Sequence, residues 1–388
     1  MARTGTTESG RGLPCLRETL CADLGRTGAE HAAILDQPSA VGPPRKKKIQ
    51  TGFGRIEIAK AHPFSHLVQG FAISPMLQEM MVYVGQMEPY GQGVETLAKL
   101  AGVSTNRSQL YRVTDAYGAL LEAQEEEGQQ PAPAPAPTGA DEVVYAEADG
   151  SMVLTHEGWR EVKLGRVFRG GDCKQHPSPK RNGSIGESQY SAFLGHFEEF
   201  TRRFDPALAP YAHLEERLVF LTDGATWIRN WISEHYPDAL QILDFFHVKE
   251  HLAHFAQCAQ PEADKREAWL DEQAERLKQG RLDEVIAEVR SFTLPLPAAR
   301  EEQSNLVNYL WGNQERMQYD LYLEAGLYIG SGAIEAAHKT VIQSRMKRSG
   351  QRWSVKGAQN MLNIRAVFMS NQWEKVEKLI SLATAKAA

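Results

Sequence analysis

The sequence predicts an α/β fold, a mixed sheet that follows a separate all-helical region. After residue 143, short apolar runs and helical patterns follow one another in the order strand, strand, strand, helix, strand, helix, strand. Before residue 124, apolar residues recur at helical spacing instead. A segment rich in proline and alanine separates the two parts. We therefore expect a helical part and a sheet-containing part, joined by a spacer.

Composition limits the class of protein. The chain has 388 residues, room for two or three domains, and 42% of them are apolar. No run of 18 apolar residues occurs, and the first residues lack the apolar core of a secretory signal, so neither a membrane span nor secretion is expected. The four cysteines form no CxxC pair, which predicts a reduced, cytoplasmic protein without a zinc ribbon. The net charge of −6 argues against a uniformly basic DNA-binding coat but allows local basic patches.

The N-terminal 48 residues are rich in Gly, Thr, Ser and charge, and their apolar residues show weak periodicity. We predict that residues 1–48 form a disordered arm. The arm ends in PPRKKK, Pro43 to Lys48. This basic cluster either contacts phosphate or belongs to a solvated tail, and the sequence leaves both open.

Residues 49–123 predict a helical DNA-binding region. Ser74 and Pro75 are suited to begin a first helix. Further on, Gly102 interrupts a helical pattern, and Ser104 or Thr105 can cap the next helix. Helix, short turn and capped helix is the pattern of a helix-turn-helix motif, although an ordinary helical hairpin has the same pattern. The residues predicted to face DNA are Asn106, Arg107, Gln109 and Arg112.

Residues 124–142 read QEEEGQQPAPAPAPTGADE. Alternating Pro and Ala favours an extended, semi-rigid spacer, and at about 3.1 Å per residue its seven-residue Pro/Ala core spans roughly 20 Å. We expect a domain boundary here, with the helical region tethered to the rest of the chain.

The sheet-containing part divides into three segments. Residues 143–249 hold the predicted strands and the two helices between them, residues 250–328 are charged and helical with a break at 292–297, and residues 329–388 complete the chain. The predicted strands are 143–148, 159–163, 166–169, 218–221 and 240–243, and the predicted helices are 190–204 and 225–235. This order is that of a ribonuclease-H-like domain, an analogy of fold that by itself fixes no chemistry.

Two aspartates occupy equivalent positions in this pattern. Asp149 and Asp223 each follow a predicted buried strand and each precede a glycine. If the two strands are neighbours, both carboxylates lie at one end of the sheet, and the glycines leave room for a ligand to approach the backbone. Either aspartate alone is more often a solvated residue or a cap, but the matching pair indicates a site.

A third carboxylate, Glu335, stands at the start of the segment GSGAIEAAHKTVIQSRMKRSGQRWS. Ser331 can cap the helix that carries Glu335, and the helix dipole favours an ionised carboxylate in the first turn. Three converging carboxylates suit Mg²⁺, and two such ions, with Mn²⁺ as a substitute, can promote phosphodiester chemistry. No acid occurs from Ala336 to Gln372. The basic residues predicted to grip DNA phosphates there are Lys339, Arg345, Lys347, Arg348 and Arg352; a solvated helix face is the alternative.

These segments resemble the DDE transposases of bacterial insertion sequences, in particular the ISKra-type group. The matching pieces are ADGSMVLTHEGWREVKLGRVF, FLTDGATWIRNW, LDFFHVKEHL and GSGAIEAAHKTVIQSRMKRSGQRWSVKGAQNMLNIRA. The resemblance implies a ribonuclease-H-like core with Asp149, Asp223 and Glu335 as catalytic, metal-binding acids and a helical insertion before Glu335. It also implies supporting roles for Asp244 and His247. Many relatives have a cysteine-rich segment before the helix-turn-helix region, and this chain has none there.

The resemblance implies metal-dependent cleavage and strand transfer at the ends of an insertion sequence, by a cytoplasmic, nucleoid-associated bacterial enzyme. Its partners would be element-end and target DNA, bound by a homodimer or larger assembly and without a membrane. In that mechanism Asp149 bridges two metal ions, and Asp223 and Glu335 each complete one site. Two alternatives remain: a DNA-binding regulator with a degenerate nuclease fold, and a stand-alone nuclease or junction resolvase.

Overall fold

The structure is a computed structural model that describes residues 46–51, 54–59, 67–126, 142–174 and 183–387. The predicted disordered arm, residues 1–48, therefore lies outside the described residues except for its last three. These three belong to a strand, so the predicted boundary at residue 48 is wrong. The predicted spacer, residues 124–142, is described only at its ends: residues 124–126 end a helix, and residue 142 precedes a strand.

The strands in chain order are β1 (Lys46–Thr51), β2 (Gly54–Ala59), β3 (Val144–Thr155), β4 (Gly158–Arg169), β5 (Cys173–Lys174), β6 (Ser184–Ile185), β7 (Gln189–Leu194), β8 (Leu218–Thr222) and β9 (Leu240–Leu243). The helices of the N-terminal region are α1 (Pro75–Met87), α2 (Tyr90–Ala101) and α3 (Arg107–Glu126). The helices that follow are α4 (Phe197–Leu208), α5 (Thr226–His235), α6 (Phe245–Ala259), α7 (Ala263–Lys278), α8 (Leu282–Ser291), α9 (Pro297–Gly312), α10 (Tyr319–Glu324), α11 (Gly332–Ala337), α12 (Ser344–Met346), α13 (Val355–Met369) and α14 (Glu374–Ala387). A π-helical segment, His338–Gln343, connects α11 to α12. No helix in the described ranges is both long and apolar enough to cross a membrane.

A five-stranded mixed sheet forms the centre of the molecule, in the order β7-β4-β3-β8-β9. β7, β4 and β3 are antiparallel neighbours, whereas β3, β8 and β9 run parallel. The parallel strands are joined through helices α4 and α5, as crossover connections require. The predicted mixed α/β fold is confirmed.

Three of the predicted elements differ from those observed. β3 continues through Asp149 to Thr155, because its antiparallel pairing with β4 extends beyond its parallel pairing with β8. β4 is one strand where two were predicted. Residues 190–194, predicted as the start of a helix, belong to strand β7, whose backbone pairs with β4, and the helix begins only at Phe197. Sheet pairing prevailed over the helical pattern in this segment.

The two faces of the sheet pack against different helices because successive side chains of a strand point to opposite sides. Val144, Ala146 and Phe220 lie in one core with residues of α4 and α5. Tyr145 and Leu221 lie in another core with the helices from α6 to α10. The predicted break lies between the end of α8 and the start of α9 at Pro297, but the stretch is also interrupted between α6 and α7, between α7 and α8 and between α9 and α10, where a single break was predicted.

The N-terminal helices share a hydrophobic core with the last two helices of the chain. Leu77, Leu110 and Tyr117 from α1 and α3 pack in one cluster with Ile364 of α13 and Ile380 of α14. The helical region is therefore an integral part of the fold, and the prediction that it is tethered apart from the remainder is wrong. Part of residues 49–123 is also not helical, since β1 and β2 form an antiparallel hairpin.

Gly118 marks the closest approach of α3 to α13. A Cβ atom built there would lie 2.3 Å from the backbone oxygen of Asn360. We expect Gly118→Ala to lower the free energy of unfolding by about 1–3 kcal/mol, because the backbone of α13 must shift to admit the methyl group. Gly312→Ala is the matched control, since a Cβ at Gly312 meets no atom within 4 Å. Urea denaturation measures both, and equal stability of Gly118→Ala and wild type would contradict the close approach.

Candidate active site

Three aspartates lie side by side at one edge of the parallel half of the sheet. The parallel pairing of β3 with β8 ends at Ala148 and Thr222, and that of β8 with β9 ends at Thr222 and Leu243. The next residue on each strand is an aspartate: Asp149, Asp223 and Asp244. The register of the sheet thus brings together carboxylates that are far apart in sequence. Asp149 was predicted to follow the end of a strand. It lies within β3 instead, at the point where the parallel pairing with β8 has ended.

Glu335 reaches the same place from a helix. Its neighbours Ile334 and Ala337 are buried against Val162 and Leu164 of β4, which fixes α11 over the sheet. A cleft of ≈ 200 Å³ is lined by Asp149, Asp223, Asp244, Glu335 and His247, together with Ala148, Thr222, Phe246, Glu250, Ser331 and Ile334. The structure therefore brings the three acids of the predicted triad and the two predicted supporting residues into one cleft.

Asp149 and Asp223 each use one carboxylate oxygen in a local hydrogen bond. The Gly150 N–H donates to Asp149 Oδ1 at 2.6 Å, and the Ala225 N–H donates to Asp223 Oδ1 at 2.9 Å. The second oxygen of Asp149 lies 3.1 Å from His338 Nε2. Gly224 has a φ of +85°, a conformation that favours glycine and turns the chain away from β8.

Asp244 is a buried connector between two segments of the site. It accepts hydrogen bonds from the backbone N–H of Phe246 at 3.0 Å, from the Ser331 N–H at 3.2 Å and from Ser331 Oγ at 2.5 Å. Ser331 was predicted to cap α11 with its side chain. It does not, because its hydroxyl donates to Asp244 instead. Through this contact the end of β9 holds the segment that leads to Glu335, a position that suits a supporting role.

His247 lies in the first turn of α6, half-buried at the cleft wall. Its Nδ1 is 3.6 Å from Glu250 Oε2, and its Nε2 is 3.3 Å from the Nε2 of His251. Burial lowers the pKa of His251, and the neighbouring His247 lowers it further. The lowered pKa favours the neutral imidazole of His251, which lies behind His247.

Two residues near the acids were missed by the sequence reasoning. His338 is buried, and its Nε2 lies 3.1 Å from Asp149 Oδ2, although neither ring nitrogen makes a hydrogen bond within the described part of the chain. Glu147 is fully buried, and this burial raises the pKa of its carboxyl group to about 8, while the Arg166 guanidinium acts in the opposite direction. Spacing could have indicated both: Glu147 is two residues from Asp149 on one strand face, and His338 is three residues from Glu335 on one helix face.

The donor atoms of the cleft suit a hard divalent cation, since they are mainly carboxylate oxygens. Within the described ranges, however, no three His, Cys, Asp or Glu side chains lie close enough together to hold one metal ion. The acids share a cleft but not a single coordination sphere in this conformation. Binding of an ion would require their side chains to rotate towards one another.

The predicted phosphate-gripping residues are spread over several surfaces. Lys339 is exposed and lines a cavity next to the cleft, which it shares with Glu335. Lys347 Nζ donates to Ser151 Oγ at 2.5 Å, two residues beyond Asp149. Arg348 is exposed, with its Nε donating to the carbonyl of Ser344 at 2.8 Å. Lys339 and Lys347 thus lie near Glu335 and Asp149, respectively.

Arg345 does not lie on this surface. Its side chain is only 1% exposed, and its Nε donates to the carbonyl oxygen of Gly85 at 2.9 Å. The prediction that it contacts DNA on an open helix face is therefore wrong. The reason is helical spacing: Arg345 follows Val341 and Ile342 by four and three residues, and these two are the buried face of the segment.

The residues predicted as DNA contacts of the helical region lie in the first turns of α3. Asn106, Arg107 and Arg112 are exposed, and Gln109 is half-buried. Asn106 Oδ1 accepts from the Gln109 N–H at 2.9 Å, so Asn106 caps α3, where Ser104 or Thr105 was predicted. The Ser74 cap of α1 is confirmed by the hydrogen bond from the Leu77 N–H.

The comparisons with known proteins place the chain in a family. The model of the uncharacterised protein family UPF0236 matches residues 140–379, well over half of the chain. The chain belongs to this family. The matched region includes the five-stranded sheet and the cleft, with Asp149, Asp223, Asp244 and Glu335. No curated protein matches the chain.

Proposed function

We propose that this UPF0236 protein is a transposase of the DDE type, which cuts DNA at the ends of an insertion sequence and joins it to a target. One observation carries the proposal: Asp149, Asp223 and Glu335, from two adjacent strands and a helix, line one cleft. A stability role does not explain this arrangement, because carboxylates that face each other repel in the absence of a cation.

The architecture supports the same proposal. An antiparallel hairpin beside two parallel strands, with a helical insertion before the last acid, is the arrangement we expect of a ribonuclease-H-like nuclease fold. This support is an analogy between folds, and the chemistry is argued from the cleft. The helical pair α2–α3, with its exposed Arg107 and Arg112, is proposed as a helix-turn-helix contact to the element ends.

Once their side chains rotate towards one another, Asp149, Asp223 and Glu335 would hold two Mg²⁺ ions, with Mn²⁺ as a substitute. When bound, such ions activate the attacking hydroxyl and stabilise the leaving oxygen of a phosphodiester. The residues of the chain orient the reactants. Asp244 fixes the segment before Glu335, and Lys339 and Lys347 attract the phosphates on either side of the scissile bond.

The spacing of the acids favours one second candidate, a DNA-binding regulator that does not cut. Three ligands do not share one ion position within the described residues, which is what a degenerate site would show. A cleavage assay separates this candidate from the transposase, because a regulator binds the same DNA without breaking it.

The experiment uses linear DNA that carries the sequences flanking the gene, incubated with the full chain and a supercoiled target plasmid. We expect strand breaks in Mg²⁺ or Mn²⁺ but not in EDTA, and products in which an element end is joined to the target. Binding without breaks in either metal would overturn the proposal in favour of the regulator. Breaks without joined products would overturn it in favour of a stand-alone nuclease.

A further inference from the structure

A second cavity, of ≈ 430 Å³, lies between the N-terminal helices and the segment after α12. It is lined by Tyr90 of α2, Tyr111 of α3, His156 of the β3–β4 turn, Arg345, Gln351, Arg352, Trp353, Ser354 and Gly357. None of these residues lines the acidic cleft. The cavity is therefore a separate site, and its lining contains cations and aromatic rings but no carboxylate.

Arg345 forms the floor of this cavity and is held rigidly. Its guanidinium carbon lies 4.8 Å from the centre of the Tyr90 ring and 5.0 Å from that of the Trp353 ring. The Nε donates to the Gly85 carbonyl, whereas Nη2 has no hydrogen-bond partner within the described residues. A buried guanidinium nitrogen that lacks an acceptor is costly, and an acceptor from outside the chain would remove that cost.

The charge on this side of the molecule is also uncompensated. Within the described ranges no carboxylate forms an ion pair with Arg345, and the same holds for the neighbouring buried Arg365, whose guanidinium binds carbonyl oxygens and the side chain of Gln86. Asp115 lies on this side, but its Oδ1 accepts a hydrogen bond from Asn360 at 2.8 Å. Of the two cations only Arg345 lines the cavity, and its unpartnered Nη2 favours an anion there.

The residues at the entrance of the cavity indicate which class of anion it binds. Arg352 and His156 are exposed there, and Tyr111 is 37% exposed, with its ring 5.5 Å from that of Tyr90. The guanidinium groups of Arg345 and Arg352 next to an accessible aromatic face match a nucleotide, whose phosphate binds arginine and whose base stacks on a ring. A carboxylate ligand would leave the aromatic wall unused.

We infer that this cavity binds one backbone phosphate of DNA on Arg345 and Arg352, with the adjacent base against Tyr111. The inference rests on the proposed function only for the choice of DNA as the ligand. It gives Arg345 a role from inside the fold, in place of the open surface contact predicted from the sequence. It also explains why the N-terminal helices are fixed to the end of the chain, since the cavity needs both.

The test uses Arg352→Gln and Tyr111→Leu, because both side chains are exposed and both variants keep Tyr90 and Trp353, the two rings that stack on Arg345. Fluorescence anisotropy of a labelled single-stranded oligonucleotide, in EDTA, gives the affinity and its dependence on salt. We expect Tyr111→Leu to weaken binding about five- to 100-fold, as the loss of one stacked base does. Arg352→Gln should reduce the salt dependence by about one phosphate contact.

A double variant shows whether the oligonucleotide binds in the cavity or to basic residues elsewhere on the surface. In Arg352→Gln/Tyr111→Leu the losses should be less than additive, because both residues hold one nucleotide. Arg348→Gln is the matched control: it comes from the same basic segment but does not line the cavity, and its loss should add fully to that of Tyr111→Leu. Full additivity of Arg352 with Tyr111, or unchanged affinity in both single variants, would overturn the inference.

A parallel arm separates a DNA phosphate from a free anion. Inorganic phosphate is titrated against wild type and Arg352→Gln, with the melting temperature as the readout. Stabilisation of wild type alone by phosphate, together with unchanged oligonucleotide binding in the variants, would show a free-anion site and overturn the role in DNA binding. Because all these measurements are made in EDTA, they stand whether or not the acidic cleft cuts DNA.

Discussion

Asn in place of Asp149 or Asp223, or Gln in place of Glu335, is expected to lower the rate of DNA strand cleavage by about 10³-fold or more. Each change removes a negative charge from the cleft while it preserves the size of the side chain. The cations that the carboxylates would hold are then bound weakly, and the developing charge of the reaction is not stabilised. Single-turnover cleavage of element-end DNA, resolved on denaturing gels, measures the effect.

The same three variants are expected to bind DNA at least as tightly as wild type. The cleft repels phosphates in the absence of metal, so loss of one carboxylate reduces this repulsion. Asp264→Asn, an exposed acid in the first turn of α7, is the matched control and should cleave at the wild-type rate. Retention of wild-type cleavage by any one of the triad variants would remove that residue from the proposed site.

The proximity of Asp149 and Asp223 could be predicted from the sequence because it depends on local sequence patterns. A short apolar run followed by Asp-Gly occurs at Asp149 and at Asp223, and strands of such composition tend to be buried and parallel. Parallel neighbours end at the same edge, so the aspartates meet. What the local pattern could not give was the register, which adds Asp244 to the same row, one residue beyond β9.

Other features depend on contacts between distant segments, and the sequence reasoning was wrong there. Arg345 was predicted on an open face because its neighbours are basic, but Tyr90 and Trp353 enclose its guanidinium. Ser331 has the residue type of a cap, but Asp244, far earlier in the chain, engages its hydroxyl. The residue type limits the contacts that a side chain can form, and the neighbours it meets in the folded chain determine which of those contacts forms.

The largest difference between the predicted and the observed fold is the position of the N-terminal helices, which pack against the rest of the chain. A proline-rich spacer predicts independent units, and yet α3 packs along α13 and contributes to the same core. Burial of a shared apolar surface outweighs the tendency of the spacer to separate the parts. The helices that are proposed to bind DNA are therefore fixed relative to the acidic cleft, which restricts the path of the DNA between them.

A buried ion-pair cluster couples these two parts. The side chain of Arg203, on α4, is only 4% exposed and pairs with Glu122 of α3 at 2.5 Å, with Glu125 at 3.0 Å and with Glu199 at 3.0 Å. Its guanidinium carbon also lies 4.5 Å from the centre of the Phe193 ring. Removal of the cation would leave three carboxylates close together, of which Glu199 keeps Arg202 and Glu122 keeps the amide of Asn363.

We expect Arg203→Met to lower the free energy of unfolding by about 3 kcal/mol, the low end for breaking a buried pair, because its carboxylate partners are partly exposed. Arg202→Met is the matched control: its side chain is 47% exposed and pairs with Glu199, so its loss should cost less than about 1 kcal/mol. Urea denaturation measures both, and Arg203→Met/Glu122→Gln should recover part of the loss by removing one unpaired charge. An unchanged midpoint in Arg203→Met would mean that the cluster does not couple the helices to the sheet, whereas the expected loss would make the helices proposed to bind DNA and the acidic cleft parts of one cooperative unit.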